Sequence, residues 1–332
     1  MRNFKLKKLL VKIIYPIQKL RFWRVIFNEY GYDAKRFLYH SSAFFPFNTK
    51  EKLLGRIIAE YHAVEKGLCM PQRRMGFGQR LIQDLIHHCK LFADSYNTSD
   101  ENFVHAIKVL AEYYEVHANY LHLLDNKLVK NIQDFLLNFS YKPSQQLILT
   151  KEEYLFHQKS SFDLFAQSRH SLRNFSGSVD DNLLFNAIRL AQTAPSSCNR
   201  QPSRVYIIND KDKKLQALSL QNGNRGFGNL ADKVLVITED LNYFLSISER
   251  NEAYINGGMF ALNLLYALHF YGIGACPLNW CAEKANDIAL RKLCSIPDNE
   301  IIILLIAIGG IPESFMLASS PRMRTDTIIH WV

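Results

Sequence analysis

The sequence predicts an α+β fold for residues 146–332, with helices flanking a central sheet. An all-helical N-terminal domain precedes it over 29–145, and a basic segment covers 1–28. Three observations predict this. Apolar residues between 50 and 140 recur at helical spacing with few strand signals. After residue 150, short β-branched runs alternate with helical ones. Composition changes at Tyr141-Lys142-Pro143-Ser144-Gln145, where the boundary is placed. The 332 residues suffice for a large core, and 48% apolar with 21% charged residues is ordinary for a folded protein.

Residues 1–28 carry Arg2, Lys5, Lys7, Lys8, Lys12, Lys19, Arg21 and Arg24 before the first acid, Glu29. They account for most of the net charge of +9, so the rest is nearly neutral and nucleic-acid binding by the folded body is not expected. Leu9, Leu10, Ile13, Ile14, Ile17, Phe22 and Trp23 are interleaved among these cations. Two readings stand open: a helix on an anionic membrane surface or partner, and a terminal helix packed on the body with snorkelling lysines. Pro16 is expected to limit any continuous helix. The lysines and arginines interrupt the apolar stretch and no small-residue cleavage site follows, so it is not read as a secretory signal.

The helical domain starts with Leu53, Leu54, Ile57, Ile58, Tyr61 and Val64, ending at Gly67. A second run covers Leu81, Leu85, Ile86 and Leu91-Phe92, a third Phe103 to His117, and a fourth Leu121 to Phe139. For His62, Glu65 and Lys66, next to Gly67-Leu68 at the end of the first run, a catalytic role is weighed against a surface salt-bridged helix end, and the helix end is the favoured reading.

In the second half, Ser178 with Asp181 resembles a capping box opening a helix through Leu183, Leu184, Ala187, Ile188 and Ala191, which stops at Pro195. Strands are expected at Arg204–Asn209, Lys233–Thr238 and Ile301–Ile308, the last central because its apolar run is unbroken. Tyr254–Tyr271 is apolar nearly all round and reads as a helix buried on every side, with Gly257-Gly258 admitting a second backbone.

No G-x-G-x-x-G, Walker A or H-E-x-x-H occurs, and Ser196-Ser197-Cys198 lacks a nucleophile-elbow frame. The six cysteines form no C-x-x-C and no zinc spacing, so no metal site is expected; they read as scattered buried thiols in a reducing cytoplasm. No stretch is long enough to span a membrane, including Ile301–Ile311.

An ordered set of polar motifs does occur. Arg169-His170-Ser171-Leu172-Arg173-Asn174-Phe175 packs cations and donors into one run just ahead of a predicted helix. On one helical turn, Arg169 and Arg173 share a face and can offer a phosphate two charge-assisted forks. Taken alone, such a run is usually solvated surface. Downstream come Pro195-Ser196-Ser197-Cys198-Asn199-Arg200-Gln201-Pro202, then Asn222-Gly223-Asn224-Arg225-Gly226, Gly272-Ile273-Gly274-Ala275-Cys276-Pro277-Leu278-Asn279-Trp280, and Pro321-Arg322-Met323-Arg324.

This set resembles the FMN-dependent nitroreductase family over roughly residues 165–332. The resemblance implies a central mixed sheet flanked by helices and a homodimer with FMN at the subunit interface. It implies that Arg169, His170, Ser171, Arg173, Arg322 and Arg324 hold the phosphate and ribityl chain. Pro195, Ser196, Ser197 and Asn199 would reach the flavin from the other subunit, and Asn224 would meet the pyrimidine edge. Pro277, Leu278 and Asn279 would belong to a loop over the ring, offering a backbone N–H to its N5. Asn279 stands where many members carry Glu. The implied activity is hydride transfer from NAD(P)H through FMN to a small-molecule acceptor in a ping-pong cycle, with no obligate acid or base. His157, His269 and His330 read as packing or surface histidines.

The His-x-x-Glu-Lys-Gly-Leu segment at 62–68 is similar to longer members associated with bacterial surface-polysaccharide genes, which implies a dedicated biosynthetic enzyme. Two alternatives remain open: a flavin-binding or scaffold component at the membrane surface, and an FMN-dependent dehydrogenase or dehalogenase. A cytoplasmic location is expected, with peripheral membrane contact through residues 1–28 on the first alternative.

Overall fold

A computed structural model describes residues 2–43, 48–139 and 142–332, with side chains described from Lys19 onward. Tyr141 at the expected boundary lies outside them, as do the side chains of the basic segment's first apolar residues. Helix α1 (Arg2–His40) runs without interruption past Pro16, which was expected to limit it, and on past residue 28. One proline removes a single N–H from the ladder, and the flanking turns carry the helix on. From Leu20 to Tyr39 many large apolar side chains stand exposed, Phe22, Trp23 and Phe27 among them. Arg250 ties the helix to the body through Asp33, at 2.6 Å, and Glu29, at 3.4 Å.

Helices α2 (Lys50–Leu68), α3 (Gln79–Ser95), α4 (Glu101–Val116) and α5 (Asn126–Leu136) enclose a core of their own, with Ile57, Leu85, Phe92, Phe103, Leu110 and Ile132 fully buried. Thr49, Asp100 and Asp125 cap α2, α4 and α5 by accepting from backbone N–H groups. The Asp125 cap explains why the fourth apolar run divides: Ala118–Leu123 is a 3-10 turn, and α5 starts afresh after it.

Strand β1 (Leu147–Thr150) leads through a capping box at Thr150 and Glu153 into α6 (Lys151–Leu155), then α7 (Phe162–Ser168). Helix α8 (Asp181–Ala191) is capped by Asp180, not by the expected Ser178, because Asp180 reaches the N–H groups of Asn182 and Leu183. Strand β2 (Ser203–Ile208), α9 (Lys211–Ser219), β3 (Lys233–Asp240), α10 (Glu252–Phe270), β4 (Gly274–Asn279), α11 (Lys284–Cys294), β5 (Glu300–Gly309) and β6 (Ser314–Leu317) complete the chain.

The main sheet has the order β2-β3-β5-β4, and β1 pairs with β6 in a separate two-stranded ribbon. The α+β class is as expected, but every pairing among the described strands is antiparallel, not mixed. The crossover through α10 makes β3 and β4 run the same way, and β5 enters between them, antiparallel to both. Alternation along β3 sends Leu235 and Ile237 to a core under α8 and α10, while Val234 and Val236 face a core with α9 and α11.

Helix α10 is not buried on every side: Tyr254, Ile255 and Leu262 are exposed. A Cβ on Gly257 would lie 2.6 Å from Ile303 Cγ1, so this glycine lets the helix sit down on sheet side chains, while a Cβ on Gly258 would meet nothing within 4 Å in the chain. The thiols of Cys69, Cys89 and Cys276 are buried as expected, whereas Cys198 and Cys281 are exposed. Among the described residues no helix is long and apolar enough to cross a membrane.

Candidate cofactor site

The basic run 169–175 is extended, not helical. It leaves α7 at Arg169 and runs beside β4, where Leu172 N–H donates to the carbonyl of Ala275 at 2.9 Å. Ser176 N–H then donates to Gly310 at 2.9 Å. Two glycines allow this close approach: a Cβ on Gly274 would lie 2.5 Å from Leu172 Cδ2, and one on Gly310 would lie 1.9 Å from the carbonyl oxygen of Ser176. Leu172 is fully buried and Phe175 nearly so. In an extended chain residues two apart share a side, so Arg169, Ser171 and Arg173 still cluster, by a period of two and not by a helical turn.

With Leu172 fixed inward, Arg169, His170, Ser171 and Arg173 line a cavity of about 320 Å3, and Arg322 closes it from the C-terminal segment. No carboxylate lies within ion-pairing distance of Arg169, Arg173 or Arg322 among the described residues. Arg322 donates only to the carbonyl of Ser320, at 2.9 Å. Arg169 Nε is buried without a hydrogen-bond partner. The local charge shows in its neighbours: burial, then Arg169 and Arg322, hold His170 below its ordinary range. Burial, then Arg169 and His170, push His269 down to about 4. Its Nε2 meets Ser168 Oγ at 2.9 Å, a packing role as expected. An orphaned guanidinium N–H in an uncompensated positive cavity fits a phosphate dianion.

The helical half supplies the opposite wall. Tyr61 and His62 of α2 line the same cavity. Glu65, read from sequence as part of a surface salt bridge, is completely buried. It meets His62 Nδ1 at 3.1 Å and His105 Nε2 at 2.8 Å, and accepts from Ser319 Oγ at 2.7 Å. Burial pushes its carboxyl up, but those hydrogen bonds outweigh it and bring the group down to about 2. The carboxylate thus pins the Ser319–Arg322 segment against the basic run. Gln146 repeats the stitch: its amide donates to Glu112 at 2.7 Å and its carbonyl accepts from Ser319 N–H at 3.0 Å. Nothing local in the sequence links residue 65 to residue 319; the only signal was the His-x-x-Glu spacing, which places His62 and Glu65 on one helical face.

The remaining expected residues lie elsewhere in the chain. Arg324 bonds Asp326 and lies 3.5 Å from Glu101, lining a different groove with Lys50 and Leu54. Pro195 and Ser196 line a separate cavity of about 130 Å3 beside Phe260. Ser197 Oγ donates to Glu252 at 2.5 Å and its N–H to Asn256 at 3.2 Å, fastening the turn to α10. Cys198, Asn199 and Gln201 hold φ of 53°, 54° and 53°, a left-handed path that costs non-glycine residues energy. Asn224 spends its amide inside its own loop, donating to Leu218 and Gln221 carbonyls at 2.7 Å each.

Pro277, Leu278 and Asn279 belong to edge strand β4, not to a loop. An edge tolerates Pro277 because one side of the strand has no ladder to serve. Leu278 points into the core, while Asn279 is exposed and its carbonyl accepts from Gln221 Nε2 at 2.9 Å. By strand alternation, Asn279 N–H points away from β5, on the side where Ala275 meets the basic run. Gln221, not singled out from sequence, thereby joins β4 to the 221–226 loop. Among the described residues no group of His, Cys, Asp and Glu is arranged to hold a metal.

Comparison with known proteins bears on the same stretch. No curated protein matches the chain. Solved structures with a similar C-terminal half include a Nitroreductase Family Protein from Streptococcus pneumoniae TIGR4, 22% identical, with 52% of this chain and 100% of that chain covered and a TM-score of 0.45. B. megaterium NfrA2 is 21% identical, covering 50% of this chain and 72% of that chain, with a TM-score of 0.44. A Staphylococcus epidermidis protein provisionally named an NAD(P)H:FMN oxidoreductase is 18% identical, covering 52% and 96%, with a TM-score of 0.46. Residues 166–225, which run from the basic segment through the serine turn to Arg225, match the model of the Nitroreductase family.

Proposed function

We propose that this chain is an FMN-dependent oxidoreductase that uses NAD(P)H to reduce a small-molecule acceptor. The observation that carries this reading is the convergence of Arg169, His170, Ser171 and Arg173, all within the residues 166–225 that match the Nitroreductase family model, with Arg322 of the C-terminal segment on one acid-free cavity. When bound, the flavin supplies hydride transfer between nicotinamide and acceptor. The chain's own work is placement. Arg169 and Arg173 neutralise the phosphate, Ser171 and His170 add donors, and Arg322 closes the pocket while Glu65 holds that segment in place. Asn279 N–H offers a fixed donor at the edge of β4.

On this reading the active form is a homodimer. The exposed apolar residues of α10 support it, and so does the placing of Pro195 and Ser196 on a cavity separate from that of the basic run, which leaves the turn they open, with Ser197 and Asn199, to serve the partner's cofactor. Asn224 is then a loop organiser, and Arg324 is bound to acids instead of to phosphate. A dedicated biosynthetic acceptor and a cytoplasmic setting accompany the reading. One observation favours a second one: the exposed Phe22, Trp23 and Phe27 of α1 suit a membrane-surface or partner contact, which liposome flotation with and without residues 1–28 tests.

The purified protein should be yellow and should oxidise NADH or NADPH in the presence of an acceptor. Arg169→Ala with Arg173→Ala should lose bound flavin while remaining folded. A colourless wild-type protein that cannot be reconstituted with FMN contradicts the proposal.

A further inference from the structure

The helical half carries a histidine that the cofactor reading leaves without a role. His62 stands on α2, outside the residues 166–225 that match the Nitroreductase family, and its ring lines the cavity beside Arg169, His170, Arg173 and Arg322. Its side chain is about one-third exposed, while that of Glu65, one turn on, is completely buried. Glu65 Oε2 lies 3.1 Å from His62 Nδ1, and Ser320 Oγ lies 3.4 Å from the same nitrogen. The other Glu65 oxygen meets His105 Nε2 at 2.8 Å and accepts from Ser319 Oγ at 2.7 Å. An ionised carboxylate only accepts, so the proton of a neutral His62 ring sits on Nδ1 and Nε2 keeps a bare lone pair. Among the described residues Nε2 has no hydrogen-bond partner.

A lone pair is the wrong group to offer a phosphate, whose oxygens also only accept. An imidazolium donates from both nitrogens, to Glu65 on one side and to a phosphate oxygen on the other, in two charge-assisted bonds. The surroundings make that second proton conditional. Glu65 favours it, although His105 and Ser319 share the carboxylate. Tyr61, beside it on α2, stays neutral, because burial pushes its hydroxyl up to about 12. Arg169, Arg173 and Arg322 oppose it from the basic run and the C-terminal segment, as does His170 when charged. Burial, then Arg169 and Arg322, already hold His170 below its ordinary range. A phosphate dianion reverses the balance, since it neutralises the guanidiniums and places negative charge at Nε2. We propose that His62 is a phosphate ligand of this cavity in its imidazolium form, so that binding a phosphate monoester draws one proton from solvent onto Nε2. The helical half then takes a direct part in holding the cofactor, and its grip weakens as pH rises. The inference rests on the oxidoreductase reading only in taking the phosphate to be that of a flavin.

Proton uptake on binding tests this. It is measured calorimetrically on the flavin-free protein at pH 7.5, in buffers of different ionisation enthalpy, with FMN and separately with inorganic phosphate. The wild type should take up more protons than His62→Gln with either ligand, by about half a proton or more. His170 and the ligand's own phosphate titrate in both proteins, so the difference belongs to His62. Between pH 6.5 and 8.5 the FMN affinity of the wild type should fall about tenfold further than that of His62→Gln. His62→Lys, which keeps its charge over this range, should bind FMN nearly as well as the wild type at pH 6.5 and lose the extra slope. Equal proton uptake in wild type and His62→Gln overturns the inference. So does an affinity that drops by one constant factor at every pH, which is what a purely structural His62 would give. Proton uptake with inorganic phosphate in a protein that fails to bind FMN counts against the flavin reading and leaves this inference standing. Failure to bind either ligand overturns both.

Discussion

Two buried carboxylates make opposite predictions at the scale of single residues. Glu65 is brought down to about 2 by its hydrogen bonds to His105, His62 and Ser319, against the pull of burial. A folded-state value below the unfolded one contributes stability above about pH 4.5, which is lost as pH falls toward 2. Glu65→Gln should therefore cost on the order of 2–3 kcal/mol in urea unfolding at neutral pH. The gap to wild type should narrow steadily below pH 4.5; a gap that stays constant down to pH 2.5 contradicts this role. Glu239 lies the other way. Burial, only partly offset by Ser203 and Arg204, pushes its carboxyl up to about 7. Its Oε2 has no partner. A raised acid favours the fold at low pH, and that contribution disappears between about pH 4.5 and 7. Glu239→Gln should remove this fall, making the variant more stable than wild type by about 2 kcal/mol at pH 8. Equal stability at pH 8 would show that Glu239 ionises without cost.

The instructive element is the extended run 169–175. Its composition advertised an anion site, and its neighbours in the chain suggested a helix; the backbone follows β4 instead. What decides this is tertiary: Leu172 and Phe175 find buried positions only against a sheet end stripped of side chains at Gly274, Gly309 and Gly310. Periodicity identifies helices and strands that carry long apolar faces, which is why α2, α3, α4, β3 and β5 were legible. It is blind to a segment whose pairing partner lies a hundred residues away. Strand β4 was hidden by Pro277, since only its edge position makes the proline acceptable, and β1 with β6 was too short to signal. Gly310→Ala tests the glycine argument. Its Cβ would meet Ser176 at 1.9 Å, with backbone on both sides and no flexible side chain to yield. A loss of at least about 2 kcal/mol is expected in thermal or urea melts, with FMN retention falling in parallel. A variant as stable as wild type would mean that the run can lift away without consequence.

Over the whole molecule, the helical half is part of the site. Glu65 and Gln146 both grip Ser319, Arg73 reaches Met316 Sδ at 3.5 Å, and the cavity that Arg169 and Arg173 line is walled by Tyr61 and His62. Periodicity separated the two halves, and the motifs singled out Arg169, His170, Ser171, Arg173 and Arg322, which line one cavity, but nothing in the sequence could place residue 65 against residue 319. Arg324, expected beside Arg322 in that role, instead meets Glu101 and Asp326. On the proposed reading the cluster holds the phosphate of a flavin, and riboflavin lacks only that group. Titration of the flavin-free protein with FMN and with riboflavin, followed by flavin fluorescence, tests it most directly. FMN should bind about a hundredfold or more tightly, a margin worth roughly 2.7 kcal/mol that should collapse in Arg169→Ala with Arg173→Ala. Equal affinity for the two flavins in the wild-type protein would mean that the cluster does not hold a flavin phosphate.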